Sequence, residues 1–222
     1  MQKSRIDFGI GQLHSWNPLV GCKHGCLYCW ARRMNDRFKW IPDWREIKYY
    51  PERLIEPFRL KKPSKIFVCS MSDLFGDWVD FFFIEHVLHA AQENPQHEFY
   101  FLTKNPIYMA EFVFPDNCRC GITVELEEKY YKRMKYLRET RARHKFLSIE
   151  PLLGPMNIDL TCESNLDFII VGADTSKKNP ILPKHEWIEG LQHPNIFWKK
   201  SMASLRGETI GISISGGLND NW

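Results

Sequence analysis

Cys22-Lys23-His24-Gly25-Cys26-Leu27-Tyr28-Cys29 sets three cysteines at C-x3-C-x2-C spacing, with an aromatic residue directly before the last. Three thiolates so spaced can hold three corners of a cubane iron–sulfur cluster, whereas an electron-transfer cluster or a structural zinc normally takes four protein ligands. One iron corner is then left open, and an open corner is a place for a ligand. Two plainer readings compete. A zinc knuckle would recruit His24 or His14 as its fourth ligand, but His24 falls inside the first Cys–Cys loop, awkward for a tetrahedron already using both flanking thiolates. Ordinary core cysteines are commonly buried singly, and three within eight residues beside Gly21 and Gly25 fit that pattern poorly.

Outward from this loop, the 222-residue chain is long enough for one substantial core, and no Pro/Gly/Ser-rich linker or charge block divides it. The expected organisation is one domain over residues 1–200, with 201–222 as a C-terminal tail of unsettled structure. No apolar h-region follows Met1-Gln2-Lys3-Ser4-Arg5, and the most hydrophobic stretch, Val79 to Ala91, is interrupted by Asp80, Glu85, His86 and His89. These features predict a cytoplasmic protein. Seven cysteines, an odd number, argue for reduced thiols rather than a disulfide framework. Cys69, Cys118, Cys120 and Cys162 are read as ordinary core or loop thiols. Net charge is only +3, which neither demands nor excludes nucleic acid. The basic cluster Lys132, Arg133, Lys135, Arg138, Arg141, Arg143 and Lys145 is read first as a solvated helix whose basic end complements its dipole, and second as a phosphate contact.

Behind the cysteine loop, short apolar runs rich in aromatic or β-branched residues alternate with longer helical patterns, the rhythm of β/α units with parallel strands. Strands are predicted over Gln12–Trp16, Lys65–Cys69, Glu98–Leu102, Cys120–Val124, Lys145–Ile149, Asp167–Val171 and Asn195–Trp198, most too continuously apolar for a sheet with one wet face. Helices are predicted over Val79–Gln92 and Leu126–Arg141, with Asn105-Pro106 starting a short one and weaker signals at Pro51–Arg59 and Pro183–Leu191. Six or seven such units suit an α/β fold, an incomplete (β/α) barrel of six or seven parallel strands; a flavodoxin-like open sheet is the rival that strand counting leaves standing. Thr209 to Ile214 alternates like a strand, but Gly216-Gly217 and the polar end suggest a loosely held tail.

In a barrel, ligands gather at the C-terminal strand ends, so the informative residues stand just past each strand. They are Ser70, Met71, Ser72 and Asp73 after the second, Lys104 after the third, Thr123 and Glu125 at the fourth, Ser148, Glu150 and Pro151 at the fifth, and Gly172-Ala173-Asp174 after the sixth. Singly each reads equally as a helix cap, a turn or a surface residue; their recurrence at one end of successive units is the signal. Lys199 after the last strand is a weaker candidate.

The three-cysteine loop resembles the signature of the radical S-adenosylmethionine (SAM) superfamily, whose core fold is a partial barrel. The resemblance implies a [4Fe-4S] cluster on Cys22, Cys26 and Cys29, SAM on the open iron, and one-electron cleavage to a 5′-deoxyadenosyl radical. It further implies that Ser70, Met71, Ser72 and Asp73 stand where the superfamily often carries Gly-Gly-Glu for the SAM amino group. Lys104 then suits the SAM carboxylate, Glu125 or Ser148 the ribose hydroxyls, and Gly172 a close approach of adenine, with Thr123 and Glu150 completing the strand-end set. Together with Val68-Cys69-Ser70-Met71-Ser72-Asp73-Leu74-Phe75, Leu102-Thr103-Lys104, Gly121-Ile122-Thr123-Val124-Glu125 and Leu147-Ser148-Ile149-Glu150-Pro151-Leu152-Leu153-Gly154-Pro155, the loop is similar to a phage-associated radical SAM-like family over about Ile10 to Lys199. Where that family usually has Gly-Gly-Glu-Ser, this chain has Gly172-Ala173-Asp174-Thr175. Phage association points to a nucleotide or nucleic-acid base as substrate, and the chemistry to an external one-electron reductant, flavodoxin- or ferredoxin-like. The alternative is a non-enzymatic zinc or iron–sulfur nucleic-acid-binding protein using the basic helix.

Overall fold

The computed structural model describes residues 1–176 and 179–206. In chain order its elements are β1 (Gln2–Lys3), β2 (Leu13–Trp16), β3 (Leu19–Val20), α1 (Trp30–Phe38), β4 (Lys48–Tyr49), β5 (Lys65–Val68), α2 (Phe81–Gln92), β6 (Glu98–Thr103), α3 (Pro106–Met109), β7 (Cys118–Thr123), α4 (Glu127–Glu139), β8 (His144–Ile149), β9 (Leu166–Val171), β10 (Ile196–Trp198) and α5 (Ala203–Arg206). All seven predicted strands form, within one or two residues of their expected ends, and all seven are parallel. The short β1 pairs antiparallel with β2 at the edge, and β3 pairs with β4 in a separate ribbon.

Sheet order decides between the two predicted architectures. The strands run β1-β2-β5-β6-β7-β8-β9-β10 with no reversal, whereas a doubly wound sheet reverses direction and carries helices on both faces. Here the faces differ. One large apolar cluster joins Ile66, Phe99, Phe101, Ile122, Leu147 and Ile169 of the strands to Ile84, Val87, Met134 and Leu137 of α2 and α4. Alternate strand residues, Leu13, Phe67, Tyr100, Phe146, Phe168, Ile170 and Phe197, form a second cluster with no helix in it. Rings from β6 and β8 meet across this face: Tyr100 and Phe146 lie 6.3 Å apart. A Cβ on the intervening Gly121 would stand 2.4 Å from the Phe146 ring, so only glycine admits it. The fold is an incomplete, open (β/α) barrel whose interior is filled by its own aromatic side chains.

The segment between β1 and β2 fills the seam left open between β2 and β10. Phe8 packs its ring 4.9 Å from Phe67 and 5.9 Å from Phe146. Gly9 takes φ +73°, and a Cβ there would meet the Phe197 ring at 2.3 Å. Lys65 Nζ donates to the Ile10 carbonyl at 2.8 Å. At the N-terminal strand ends, Arg119 is held by Glu98 (3.0 Å) and Asp167 (2.7 Å), sealing the barrel floor. Nearby His14 and His97 each bury an Nδ1 atom without a hydrogen-bond partner.

The helices follow local rules. Asp80 caps α2 through its side chain on the Phe83 N–H at 2.9 Å. Pro106 opens α3, but the Asn105 side chain donates to the Phe75 carbonyl instead of capping. Pro51–Arg59 is two 3-10 turns and Pro183–Leu191 only one. Met202 is fully buried. The alternation at Thr209 to Ile214 and the Gly216-Gly217 pair lie outside the described residues. Among the described residues no helix is long and apolar enough to cross a membrane.

Candidate active site

The C-terminal strand ends open into a pocket of about 820 Å³, within the range of small-molecule sites. Cys22, Cys26 and Cys29 line one wall. Ser70, Ser72, Asp73, Lys104, Thr123, Ser148 and Glu150 line the rest, with Trp30, Trp44, Phe67, Phe8 and Leu102 as apolar surface.

The cysteine loop is fixed from below. Gly21 donates its N–H to the Met71 carbonyl at 3.0 Å, Ser72 Oγ donates to the Gly21 carbonyl at 2.5 Å, and the Cys22 N–H donates to the Trp44 carbonyl at 2.9 Å. Gly21 sits at φ +102°, where a Cβ would stand 2.4 Å from the Glu46 carbonyl oxygen. Cys29 is the N-cap of α1, its Sγ accepting the Arg32 N–H at 3.4 Å. The positive end of a nine-residue helix thus faces this sulfur. This helix was not predicted, because no Ser, Thr, Asp or Asn stands at its start and its composition is strongly polar. Burial pushes the Cys22 thiol up to about 12, against one helpful N–H from His24, and burial raises Cys29 as well. Thiolates in such a place need a cation beside them, and the donor set fits a thiolate-bound iron centre. Among the described residues no group of three or more His, Cys, Asp or Glu is set to hold a single metal ion.

The site's carboxylates are engaged by protein. Asp73 Oδ1 accepts from Thr103 Oγ1 (2.7 Å) and the Phe75 N–H (3.1 Å); Oδ2 accepts from the Lys104 N–H (2.9 Å) and pairs with His24 Nε2 (2.7 Å). Burial works against its ionisation, but His24 and these donors hold its carboxyl below the ordinary value. His24 is therefore committed to Asp73, not to a tetrahedron with the thiols.

Glu125 lies behind the pocket wall. Its Oε1 accepts from Lys104 Nζ and the Tyr28 hydroxyl, and its Oε2 from Arg133 Nη1 at 2.7 Å. Burial opposes its charge, yet Lys104 and Arg133, with the Lys104 and Tyr28 hydrogen bonds, bring its carboxyl down to about 2. The aromatic residue before the last cysteine is thereby tied to the ends of β6 and β7. Met71 also stands off the pocket wall, packed with Val20, Ala31, Ile41 and Trp44 under the loop. Gly172 is buried beside Glu150, whose Oε1 a Cβ would approach to 3.0 Å. Lys199 Nζ bonds both Glu150 oxygens at 2.7 Å. The hydroxyls of Thr123 and Ser148 lie side by side on β7 and β8, on residues 5% and 1% exposed. Both residues line the pocket, and among the described residues neither hydroxyl has a protein partner, whereas the Ser148 carbonyl accepts from the Val124 N–H and the Thr123 carbonyl from Arg133.

The basic cluster is mostly consumed by structure: Arg133 on Glu125, Arg138 on Glu163, Arg141 on the Glu111 carbonyl and Lys145 on the Arg138 carbonyl.

A family model described as a protein of unknown function, DUF5131, matches residues 4–195. The chain belongs to this family. The DUF5131 region thus takes in the cysteine loop, six of the seven parallel strands, with β10 falling just beyond its end, and every strand-end residue named above except Lys199. No curated protein matches the sequence. Among solved structures the chain is similar to a spore photoproduct lyase variant with bound AdoMet and dinucleoside spore photoproduct, at 11% identity over 76% of this chain and 58% of that one, TM-score 0.47. Two further variants of that lyase match, one at 11% identity over 72% and 55% with TM-score 0.47, and one with dinucleoside spore photoproduct at 13% over 60% and 44% with TM-score 0.39. The chain spans about half the length of these structures.

Proposed function

We propose that this DUF5131 protein is a radical SAM enzyme that binds a [4Fe-4S] cluster through Cys22, Cys26 and Cys29, holds SAM in the strand-end pocket, and acts on a nucleotide or nucleic-acid base. One observation carries the reading: three half-buried thiols at C-x3-C-x2-C spacing share a single pocket with the C-terminal ends of successive parallel strands. The motifs along the chain support the narrower assignment to the phage-associated radical SAM-like proteins, and an external one-electron reductant as partner. When bound, the cluster and SAM supply one-electron cleavage of a carbon–sulfur bond.

The chain's own residues hold and shield that chemistry. Gly21, Met71 and Ser72 fix the loop, the α1 N-terminus favours the ionised form of Cys29, and the Tyr28–Lys104–Glu125–Arg133 network pins the loop's far end. The hydroxyls of Thr123 and Ser148 are free to bond a polar ligand, and in this reading Ser70 and Ser72 of the pocket wall would offer acceptors to the SAM amino group. Trp30, Trp44, Phe67 and Phe8 exclude water from the pocket. Anaerobic reconstitution with iron and sulfide, followed by reductant and SAM, should yield 5′-deoxyadenosine. Protein that carries a full cluster and yields none overturns the proposal, as does purification with zinc in place of iron.

A further inference from the structure

The cysteine loop and α1 carry exposed apolar side chains beside the pocket. Three large apolar side chains are exposed there, Leu27 at 88%, Phe38 at 50% and Trp40 at 48%, and Trp30, at 44%, lies between them and the pocket it also lines. Leu27, Phe38 and Trp40 take no part in the pocket wall. Phe38 and Trp40 stack on each other at 5.4 Å with planes 22° apart, and Arg37 lies 5.1 Å over the Phe38 ring. Exposed apolar surface of this kind marks an interaction site. The charge is concentrated in the same place. Residues 23–45 carry six Lys/Arg against two Asp, a formal +4 in a chain whose total is +3. Among the described residues none of those six cations is in a salt bridge. Along α1, Trp30, Arg33 and Arg37 fall at helical spacing on one stripe, which Leu27 extends toward the thiols.

We propose that this face, from Leu27 along α1 to Trp40, is the docking surface for an acidic one-electron donor protein of the flavodoxin type. The inference rests on the function proposed above, which needs an electron delivered from outside. Position favours this occupant over a nucleic acid. Leu27 lies in sequence between two of the cluster-binding cysteines, so a protein seated on it stands against the loop wall itself. A substrate strand must instead enter the pocket, whose lining leaves out Leu27, Phe38 and Trp40. Charge fixes the partner's sign, since unpaired cations around an apolar centre steer an acidic protein and set its approach. The transfer is simple in balance: the donor is oxidised by one electron, the centre on the three thiolates is reduced by one, and no bond or proton moves.

The test compares reduction of the reconstituted protein by a reduced bacterial flavodoxin and by dithionite, followed by stopped-flow absorbance. Arg37→Glu/Lys39→Glu and Trp40→Ser should each slow reduction by flavodoxin about tenfold or more and leave reduction by dithionite unchanged. The wild-type rate with flavodoxin should fall about tenfold between about 50 and about 300 mM salt. Leu27→Asp should behave as the charge variant does, with circular dichroism unchanged. Equal flavodoxin rates in wild type and all variants would overturn the surface. So would loss of binding to a labelled single-stranded DNA in variants that flavodoxin still reduces normally. If no cluster assembles, the enzymatic reading fails on its own, and calorimetric titration of the apoprotein with oxidised flavodoxin then decides the surface: binding abolished by Arg37→Glu/Lys39→Glu supports it, and absence of binding rejects it.

Discussion

Glu125→Gln removes the one carboxylate that faces three partners behind the cysteine loop, and its cost can be worked from the charge it satisfies. Lys104 and Arg133, with side chains 17% and 16% exposed, both point at Glu125, itself 10% exposed. Holding its carboxyl at about 2 rather than the ordinary 4.5 corresponds to about 3 kcal/mol of preference for the ionised folded form. Breaking a buried pair by removing one partner costs a similar amount, because it leaves the other charges uncompensated. The substitution should therefore lower unfolding free energy at pH 7 by about 3 kcal/mol, measured by urea titration of the apoprotein. The sign with pH is fixed by the depressed value. The contribution is fully present above pH 4.5 and is lost as pH falls toward about 2, so the gap between wild type and variant should narrow steadily below pH 4.5. A gap under about 1 kcal/mol at pH 7, or one of constant size down to pH 3, would refute the reasoning. Because Tyr28 is released at the same time, the variant should also lose reconstituted iron to a chelator faster than wild type.

Gly21→Ala should destabilise by about 1–3 kcal/mol, since it forces a side chain at φ +102° against the Glu46 carbonyl; thermal unfolding checks it, and a melting point unmoved from wild type contradicts it. Ser148→Ala deletes a buried hydroxyl with no protein partner, so stability should stay within about 0.5 kcal/mol while SAM affinity drops by about 1 kcal/mol, read by calorimetric titration. Burial lowers the pKa of His14, His97 and His193. Protonation then favours the unfolded chain, so stability should be fully present above pH 6.5 and decline as pH falls below it; His14→Gln/His97→Gln should flatten that slope, as urea midpoints at several pH values will show.

The parallel strands are legible because a strand covered on both faces, by helices outside and aromatic side chains within, reads as a continuous apolar run, and seven such runs stand out. Strand order is not legible, since the same runs suit an open doubly wound sheet until the partner of each is known. Helix α1 escapes because its N-cap is Cys29, a residue already claimed by the three-cysteine pattern. At the site, spacing brings the three cysteines together unaided, but the network behind them joins residues as far apart as Tyr28 and Glu125. Glu125 therefore looks like a strand-end ligand residue in sequence and is a counterion to Lys104 and Arg133 in the fold. The basic run after Lys132 misleads for the same reason, as its carboxylate partners Glu125 and Glu163 come from other segments.

The central claim is that the three thiols hold an iron–sulfur cluster with one corner open to SAM. Electron paramagnetic resonance of the reduced, reconstituted protein with and without SAM tests it most directly. A cluster signal that shifts on adding SAM, and that is absent when Cys22, Cys26 and Cys29 are replaced by Ala, is the predicted result. A spectrum unchanged at saturating SAM, or a cluster retained in the triple variant, would contradict it.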